Sequence, residues 1–193
     1  MISMTTLRTR LVAEERKAQI VKEAERLIRT NGFQGFSISA LAEACGLTRA
    51  GVLHHVGSKD QLLIDVLEAK ERETSEETFA LIKAIGHPTA REVLDLLMRR
   101  NMERPEIMLL LTVLAAESLN PQHPAHDYFA ERLQRGARRL APLLGGVRDD
   151  AENAAIEILS YMDGLQLNWL RDRQIDLWAR WSAFADRYFG SAS

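Results

Sequence analysis

The stretch from Phe36 to Leu62, FSISALAEACGLTRAGVLHHVGSKDQL, contains the start and stop signals of three successive helices. Ser37 is a typical N-cap, and the apolar residues that follow it recur at helical spacing. Gly46 is positioned to end this first helix, because glycine reaches the left-handed conformation without steric cost. Thr48 then caps a second helix almost at once. Two helices joined by a short turn that contains glycine are typical of a helix-turn-helix unit.

The second helix of this stretch, predicted over 49–56, has an apolar side and a polar side. Val52 and Val56 lie about one turn apart and are expected to face the core. The residues left more exposed are Arg49, Ala50, His54 and His55. Gly57 should end this helix, and Ser58 with Gln61 then forms the pattern of a capping box at the start of the next one. The sequence therefore predicts a short helix that presents its polar face to DNA.

The same residues resemble the DNA-binding signature of the TetR family of bacterial transcriptional regulators. The resemblance covers roughly residues 13 to 65. Its most specific parts are Gly46-Leu47-Thr48-Arg49, His54-His55-Val56-Gly57-Ser58-Lys59 and Leu62. The family usually has a tyrosine where this chain has Leu53, and a phenylalanine where it has Val56. Leucine lacks the hydroxyl that often contacts a phosphate in the family, whereas valine is a smaller core residue in the same role.

A helix in the major groove gives these side chains distinct roles. Arg49 is predicted to reach guanine O6 and N7 or a phosphate, while Thr48 and Lys59 are predicted to contact phosphates. Ala50 and Gly51 are small enough to let the backbone approach the duplex. The predicted DNA-binding residues are Ser37, Thr48, Arg49, Ala50, Gly51, Leu53, His54, His55 and Lys59.

The charge of the chain is unevenly distributed along its length. The net charge is −2 overall, but residues 1–60 carry nine Lys and Arg against six Asp and Glu, whereas residues 61–193 carry sixteen against twenty-one. A basic excess at the proposed DNA end agrees with nucleic-acid binding. Taken alone, the same excess is an ordinary solvated helix face, because the basic residues of the first helix alternate with glutamates.

The composition predicts an all-α protein. Of the 193 residues, 46% are hydrophobic and only five are proline, and long stretches are rich in Ala, Leu, Glu and Arg. We predict an N-terminal three-helix helix-turn-helix domain over 1–60, with 1–12 as a flexible arm and a first helix from about Ala13 to Asn31. A larger C-terminal helical domain over 61–193 is predicted to bind ligand and to dimerise.

Glycine and proline divide the predicted C-terminal domain into helices. A Thr89-Ala-Arg-Glu92 capping box opens the fifth helix, and the sixth is apolar nearly all round from Ile107 to Ala116. The fourth helix is predicted to end near Ala84, and the fifth and sixth helices are predicted to start at Thr89 and at Pro105. The last three helices are predicted to span about Ala125 to Leu143, Asp149 to Leu170 and Ile175 to Tyr188, with a break at Gly145-Gly146.

The segment Tyr161-Met162-Asp163-Gly164-Leu165, followed by Leu167 and Trp169, resembles the penultimate helix of many TetR-type regulators. In that family the last two helices pair with those of a second copy, so the resemblance implies a homodimer and a palindromic DNA operator. The predicted interface residues are Gly164, Leu167, Trp178 and Trp181. Tryptophans packed in the core of a single protomer are the alternative.

The resemblance also implies a small-molecule pocket in the C-terminal domain, from which an apolar or amphipathic effector releases the operator. Methionines and aromatic residues are suited to an adaptable apolar cavity. The predicted ligand-binding residues are Met98, Asn101, Met102, Met108, Glu117, Phe129, Tyr161, Met162, Asn168 and Trp169. Two alternatives stay open: these residues are core filler, or the DNA-binding dimer is controlled by a protein partner.

The sequence contains none of the common catalytic or phosphate-binding motifs, so no enzymatic activity and no cofactor are expected. His54 and His55 point about 100° apart on a helix and cannot easily share a metal. The cluster from His123 to Asp127 is interpreted as a solvated loop. Cys45 is the single cysteine and lies on a predicted core face, so no internal disulfide is possible. A reducing compartment is therefore the simpler expectation. Without a signal-peptide core or a membrane-length apolar run, we expect a soluble cytoplasmic protein.

Overall fold

The computed structural model describes residues 4–145 and 150–190, and it describes only the backbone of residues 4–12 and of Leu81. Within these ranges the chain forms helices and no strand. The helices are α1 (Met4–Gly35), α2 (Ile38–Ala44), α3 (Arg49–Val56), α4 (Lys59–Ile85), α5 (Ala90–Glu103), α6 (Pro105–Glu117), α7 (His126–Leu144), α8 (Ala151–Arg171) and α9 (Leu177–Phe189). The predicted all-α fold is confirmed.

Capping residues set the starts of the short helices. The Ser37 hydroxyl accepts a hydrogen bond from the Ala40 amide at 3.1 Å, which begins α2. Gly46 has φ +64° after α2, where glycine is favoured, and lets the Leu47 amide donate back to the Ala42 carbonyl at 2.8 Å. This tight corner turns the chain directly into α3.

The N-terminal core joins α1, α2, α3 and the first turns of α4. Its buried members include Ile20, Leu41, Val52 and Leu62, all completely shielded from solvent. The core continues along α4 to Leu67, so the domain boundary predicted at residue 60 passes through it. It also takes in residues from α6 and from the start of α7, namely Leu110, Leu114 and Ala125. The end of α6 is therefore packed into the N-terminal core.

The C-terminal core is built from α5, α7, α8 and α9. Trp181 lies completely buried in it, and its indole Nε1 donates to Asp95 Oδ1 at 2.6 Å. Where α7 meets α8, a Cβ on Gly136 would lie 3.1 Å from Leu159 Cδ1, so glycine permits the close approach. These helices form a second, separately packed body.

The predicted start of α1 differs from the structure. Helix α1 begins at Met4 rather than Ala13, so residues 4–12 are helical where a flexible arm was predicted; residues 1–3 lie outside the described residues. No glycine or proline interrupts the sequence from Met4 to Asn31, and a nucleated helix gains a hydrogen bond with each residue added. The predicted end at Asn31-Gly32 coincides with a kink, where Gly32 has φ +68°.

The two predicted capping boxes have different outcomes. The box at the start of α5 is complete, with Thr89 and Glu92 bonding to each other's backbone. At the start of α4, Ser58 accepts from the Gln61 amide at 3.0 Å, but the Gln61 side chain donates to Asp65 at 3.2 Å instead of returning to the cap. Asp65 lies one turn further along α4, and its carboxylate takes the Gln61 side chain away from the backbone of Ser58. Gly146, part of the predicted break, lies outside the described residues, as do Asp149, the predicted start of α8, and residues 191–193.

Candidate DNA-binding interface and ligand pocket

Helix α3 presents the polar face that its sequence predicts. Val52 and Val56 are buried in the N-terminal core, whereas Arg49, Ala50 and His54 are exposed. The Thr48 hydroxyl accepts from the Gly51 amide at 3.0 Å and fixes the first turn. The amide ends of this turn carry a partial positive charge that suits a phosphate. The arrangement therefore places a guanidinium and a helix N-terminus on one open surface.

Gly51 lies close to the cap of α3. A Cβ at this position would lie 3.2 Å from the Thr48 hydroxyl oxygen, the same atom that caps α3. Ala40 has a Cβ at the equivalent position beside the Ser37 cap of α2, so an alanine at Gly51 would require a shift of only a few tenths of an ångström. The close approach of Gly51 and Ala50 to a duplex remains a prediction.

The remaining predicted DNA-binding residues differ in how exposed they are. The rings of His54 and His55 meet edge to face with centroids 5.5 Å apart, and His55 is half-buried. Leu53 packs against the N-terminal core rather than standing free. Ser37 is exposed at the start of α2, with its oxygen already engaged as a cap. No group of three potential metal-ligating side chains occurs among the described residues.

Lys59 stands at the first position of α4 and is held by two aromatic rings. Its Nζ lies 4.5 Å from the ring centroid of Phe33 and 5.7 Å from that of Phe36. Cation–π attraction of this kind fixes the direction of an otherwise flexible ammonium group. The sequence does not reveal this contact, because it joins the end of α1 to the start of α4.

Several predicted ligand-binding residues come together in the C-terminal core. Met98, Met162 and Trp169 are buried there, and Met102 and Tyr161 pack against it. The Asn101 amide donates to Gln166 Oε1 at 2.8 Å. Gln166 in turn donates to the Met162 carbonyl at 3.0 Å and is 5% exposed, yet sequence reasoning did not select it. A glutamine inside an apolar helical pattern was the available signal.

Four other predicted ligand residues do not join this group. Phe129 packs against the N-terminal core, and Glu117 lies at the end of α6 beside His123. Asn168 is exposed on α8, where its amide donates to the Gly164 carbonyl at 2.9 Å. Met108 lies half-buried in α6. These ten residues therefore do not converge on one site, because the helix directions needed to group them are set by tertiary packing.

In the part of the chain that the structure describes, two open clefts are lined by no predicted ligand residue. One of about 330 Å³ lies between α4 and α7, and one of about 260 Å³ lies between α1 and α2. The first is lined by Glu68, Glu71, Arg72, Ser75, Glu76 and Arg139. The second includes Cys45, and burial raises the pKa of that thiol, which opposes its reactivity.

The interpretation of His123 as part of a solvated loop is wrong. His123 is 8% exposed, and its ring meets that of Phe33 edge to face with centroids 5.5 Å apart. The reason is that the α6–α7 connection folds over the N-terminal core instead of projecting into water. His126 also has a structural partner, since its Nδ1 lies 2.8 Å from the Ser118 carbonyl.

The predicted dimer residues divide into outward and inward groups. Gly164 is exposed on α8, a Cβ there would meet nothing within 4 Å, and Leu167 is half-buried close by. Trp181 is completely buried within the protomer, where its indole donates a hydrogen bond to Asp95. Its prediction as an interface contact is therefore wrong. Trp178 is half-buried beneath the guanidinium of Arg99, 3.6 Å from its ring centroid.

No helix among the described residues combines the length and apolarity needed to cross a membrane.

The family model described as bacterial regulatory proteins, tetR family, matches residues 20–66, which include α2, α3 and the start of α4. The HTH-type transcriptional regulator TtgR of Pseudomonas putida is 29% identical over 179 residues, covering 84% of each chain.

Solved structures match the whole architecture. A Rhodococcus sp. protein assigned to the TetR-family transcriptional regulators has a TM-score of 0.75 at 19% identity, covering 91% of this chain and 99% of its own. AibR, solved in complex with isovaleryl coenzyme A and operator DNA, has a TM-score of 0.64 at 20% identity, covering 91% of this chain and 98% of its own. At these identities the likeness establishes the fold. The family match across the helix-turn-helix and the relative aligned along most of the sequence support the assignment of this chain to the TetR family of DNA-binding transcriptional regulators.

Proposed function

We propose that this regulator is a cytoplasmic repressor that binds a palindromic operator as a homodimer and leaves it when a small amphipathic ligand binds. The observation that carries the proposal is the exposed polar face of α3, whose opposite face is anchored by the buried Val52 and Val56. A helix held in this way can enter the major groove without losing its packing.

Within this proposal Arg49 reads bases and its neighbours fix the register. An exposed guanidinium near the start of α3 suits bidentate hydrogen bonding to guanine. Thr48 and Lys59 contact phosphates on either side, and His54 and His55 contact the groove or the backbone. Ser37, Ala50, Gly51 and Leu53 line the same surface. Base contacts specify the sequence, whereas the phosphate contacts supply affinity.

The dimer is proposed to form through α8 and α9. Gly164 supports this assignment, because a helix without a side chain at an exposed central position allows another helix to approach closely. Leu167 lies one turn further along α8, and Trp178 lies in the first turn of α9. Two α3 helices related by a two-fold axis would then contact half-sites about 34 to 36 Å apart, which is about one turn of DNA.

The ligand is proposed to bind in the C-terminal core around the Asn101–Gln166 amide pair. Methionine and aromatic side chains around this pair would accept an acyl chain, and the amides would orient a polar group. AibR was solved with isovaleryl coenzyme A and operator DNA together, which makes short acyl coenzyme A thioesters the first probes. Met98, Met102, Tyr161, Met162 and Trp169 are the proposed contacts.

The DNA-binding proposal is tested by selecting bound duplexes from a random oligonucleotide pool. Affinity for an enriched duplex is then measured at two salt concentrations, together with the mass of the complex. Enrichment of a palindrome bound by two chains, or a multiple of two, is the expected result. Absence of any enriched sequence would overturn it.

The effector proposal is tested by melting temperature, because a ligand that binds the folded state raises it by mass action. Isovaleryl coenzyme A and longer acyl homologues are added separately, with free coenzyme A as the control. We expect a stabilising thioester to reduce operator affinity as well. If no apolar or amphipathic compound stabilises the protein, control by a protein partner takes the place of the ligand.

A further inference from the structure

His123 packs the connection between α6 and α7 against the N-terminal core. It lies in the connection between α6 and α7, is 8% exposed, and rests edge to face against Phe33 at the end of α1. On the same Phe33 ring, Lys59 Nζ lies 4.5 Å from the centroid. A single aromatic ring therefore separates a residue that follows α6 from the ammonium group proposed to contact a phosphate.

The hydrogen bonds of His123 fix which nitrogen carries its proton. Nδ1 accepts from the Ala125 amide at 3.2 Å, so the neutral ring carries its proton on Nε2. Nε2 faces Glu117 Oε2 at a distance of 3.7 Å. Both of these atoms are buried and have no hydrogen-bond partner among the described residues.

The separation of 3.7 Å lies just beyond hydrogen-bond range. Whether Glu117 and His123 form a hydrogen bond therefore depends strongly on their relative position. Two buried polar atoms without partners are costly, and a slightly shorter separation would satisfy both at once. Glu117 is the last residue of α6, and Leu110 and Leu114 of the same helix are members of the N-terminal core. A displacement of α6 would therefore change the separation between Glu117 and the His123 ring.

We propose that His123 is a positioning residue for DNA binding: the His123 ring, which faces Glu117 at the end of α6, braces Phe33, and Phe33 holds the Lys59 ammonium in its phosphate-binding position. The proposal rests on the proposed function in one respect, the contact of Lys59 with a phosphate. It assigns to the α6–α7 connection a route by which the C-terminal domain acts on the DNA surface.

Operator affinity in a double-mutant cycle provides the test. The full-length protein, His123→Asn, Lys59→Ala and the double variant are compared on one selected operator. Asparagine can still accept the Ala125 amide hydrogen bond but has no ring to place against Phe33. We expect His123→Asn to weaken binding by a factor of about 5 to 10, and to have almost no effect in the Lys59→Ala background, as coupled contacts require. Equal losses in both backgrounds would overturn the proposal.

Phe33 and Phe36 supply a matched pair of controls. Both are buried in the same core and both lie within reach of Lys59, but Phe33 is the ring that meets His123. The effect of His123→Asn should vanish in a Phe33→Leu background and persist in Phe36→Leu. If the effect persists in both, Phe33 does not transmit it. His87→Ala, at an exposed position before α5, controls for loss of a histidine.

The outcomes separate this proposal from the proposed function. If Lys59→Ala leaves affinity and its salt dependence unchanged, the phosphate contact fails and this inference fails with it. If Lys59→Ala weakens binding but the two substitutions act additively, only the route through His123 fails. Thermal unfolding of each variant is measured alongside, because a purely structural role for His123 would lower stability without producing coupling to Lys59.

Discussion

At the scale of single residues, Arg49 is the side chain on which sequence discrimination should depend. Its guanidinium is exposed at the first position of α3. Arg49→Ala should cost about 1 to 3 kcal/mol on the selected operator and should relax the preference at one base pair of each half-site. Affinities for the operator and for duplexes with single base changes provide the measurement.

Arg29→Ala is the matched control, because Arg29 is an exposed arginine of α1 outside the predicted DNA surface. It should leave the base preference unchanged. A uniform loss of affinity for all duplexes in Arg49→Ala would assign this arginine to a phosphate instead of a base.

Lys59 should contribute affinity without sequence preference. Replacing it with alanine removes one phosphate contact, so binding to every duplex should weaken by a similar factor. The slope of log affinity against log salt concentration should become shallower by about one unit. Titrations at four salt concentrations measure this slope. A change in base preference without a change in slope would contradict the role.

Residues whose role is local were predictable, and those whose role depends on distant packing were not. The inward positions of Val52 and Val56 follow from helical spacing alone. His123 looked solvated beside Pro124, yet it is buried by Phe33, which lies 90 residues earlier in the chain. No local pattern reveals which ring will cover a loop residue.

At the scale of helices, the cap of α3 links stability to DNA binding. The Thr48 hydroxyl satisfies the Gly51 amide, which otherwise has no partner in the first turn of the helix. Thr48→Ala should destabilise the protein by about 1 kcal/mol and should also weaken operator binding, whereas Thr48→Ser retains the hydroxyl and should preserve both. Chemical denaturation and operator titration measure the two effects.

Ser39→Ala is a useful comparison for this cap, because Ser39 is exposed within α2 and has no capping role. If Thr48→Ala were as stable as Ser39→Ala, the cap would not contribute measurably.

The Glu71 carboxylate links α4 to α7, and the stability that this contact provides should depend on pH. Glu71 Oε2 accepts from the Tyr128 hydroxyl at 3.0 Å, and Glu71 Oε1 accepts from Arg139 at 3.0 Å. Burial raises the pKa of Glu71, but hydrogen bonds from Tyr128 and Arg135 and the charges of Arg135 and Arg139 together lower it below its ordinary value of 4.5. Burial, together with Glu71, raises the pKa of Tyr128 to about 12.

A carboxyl group whose pKa is lowered by folding stabilises the protein above its unfolded pKa, and this contribution is lost as the pH falls through the folded value. Glu71→Gln should therefore reduce the free energy of unfolding by about 1 kcal/mol at pH 7, since the site is partly solvated. The difference from the unmodified protein should shrink as the pH falls below 4.5.

Glu76→Gln provides the control for this contact, because Glu76 is exposed on the same helix. Unfolding curves at pH 7 and near pH 4 measure the difference. A loss in Glu71→Gln that is equal at both values would mean that packing, and not the charge of Glu71, stabilises the contact.

Helix boundaries were predicted well where a single residue sets them. Thr48, Thr89 and the corner at Gly46 act within one turn of the chain. The start of α1 and the hydrogen bond of Gln61 were missed for a common reason. Neither position contains a residue that forbids the observed structure, so small energetic preferences between neighbouring partners decide the outcome.

At the scale of the whole molecule, the two packed cores do not coincide with the two predicted domains. The N-terminal core follows α4 to Leu67 and includes Leu110 and Leu114 of α6. Periodicity identified the buried face of each helix but not which neighbour covers it. The same limit explains the predicted ligand residues: Met98 and Met162 share one core, whereas Phe129, of equally suitable chemistry, packs against the other.

The outward face of α8 provides a test of assembly that does not disturb the protomer. Gly164 lies at the middle of a stripe of exposed residues on α8 that also includes Ser160, Asn168 and Arg171. A Cβ at Gly164 would meet nothing within 4 Å, so a side chain here is accommodated by the folded protomer. In a dimer formed through this face, the same side chain would separate the two helices and bury a charge without a partner.

Gly164→Arg should therefore retain helix content but shift the protein from dimer to monomer, and it should lose affinity for the palindromic operator more than for a single half-site. Ala130→Arg adds the same side chain at an exposed position on α7 and should leave assembly intact. Sedimentation and operator titration of both variants make the comparison. A Gly164→Arg protein that stays dimeric and binds the full palindrome with unchanged affinity would mean that the two copies meet elsewhere, because an arginine cannot be buried at the centre of a helix pair at no cost.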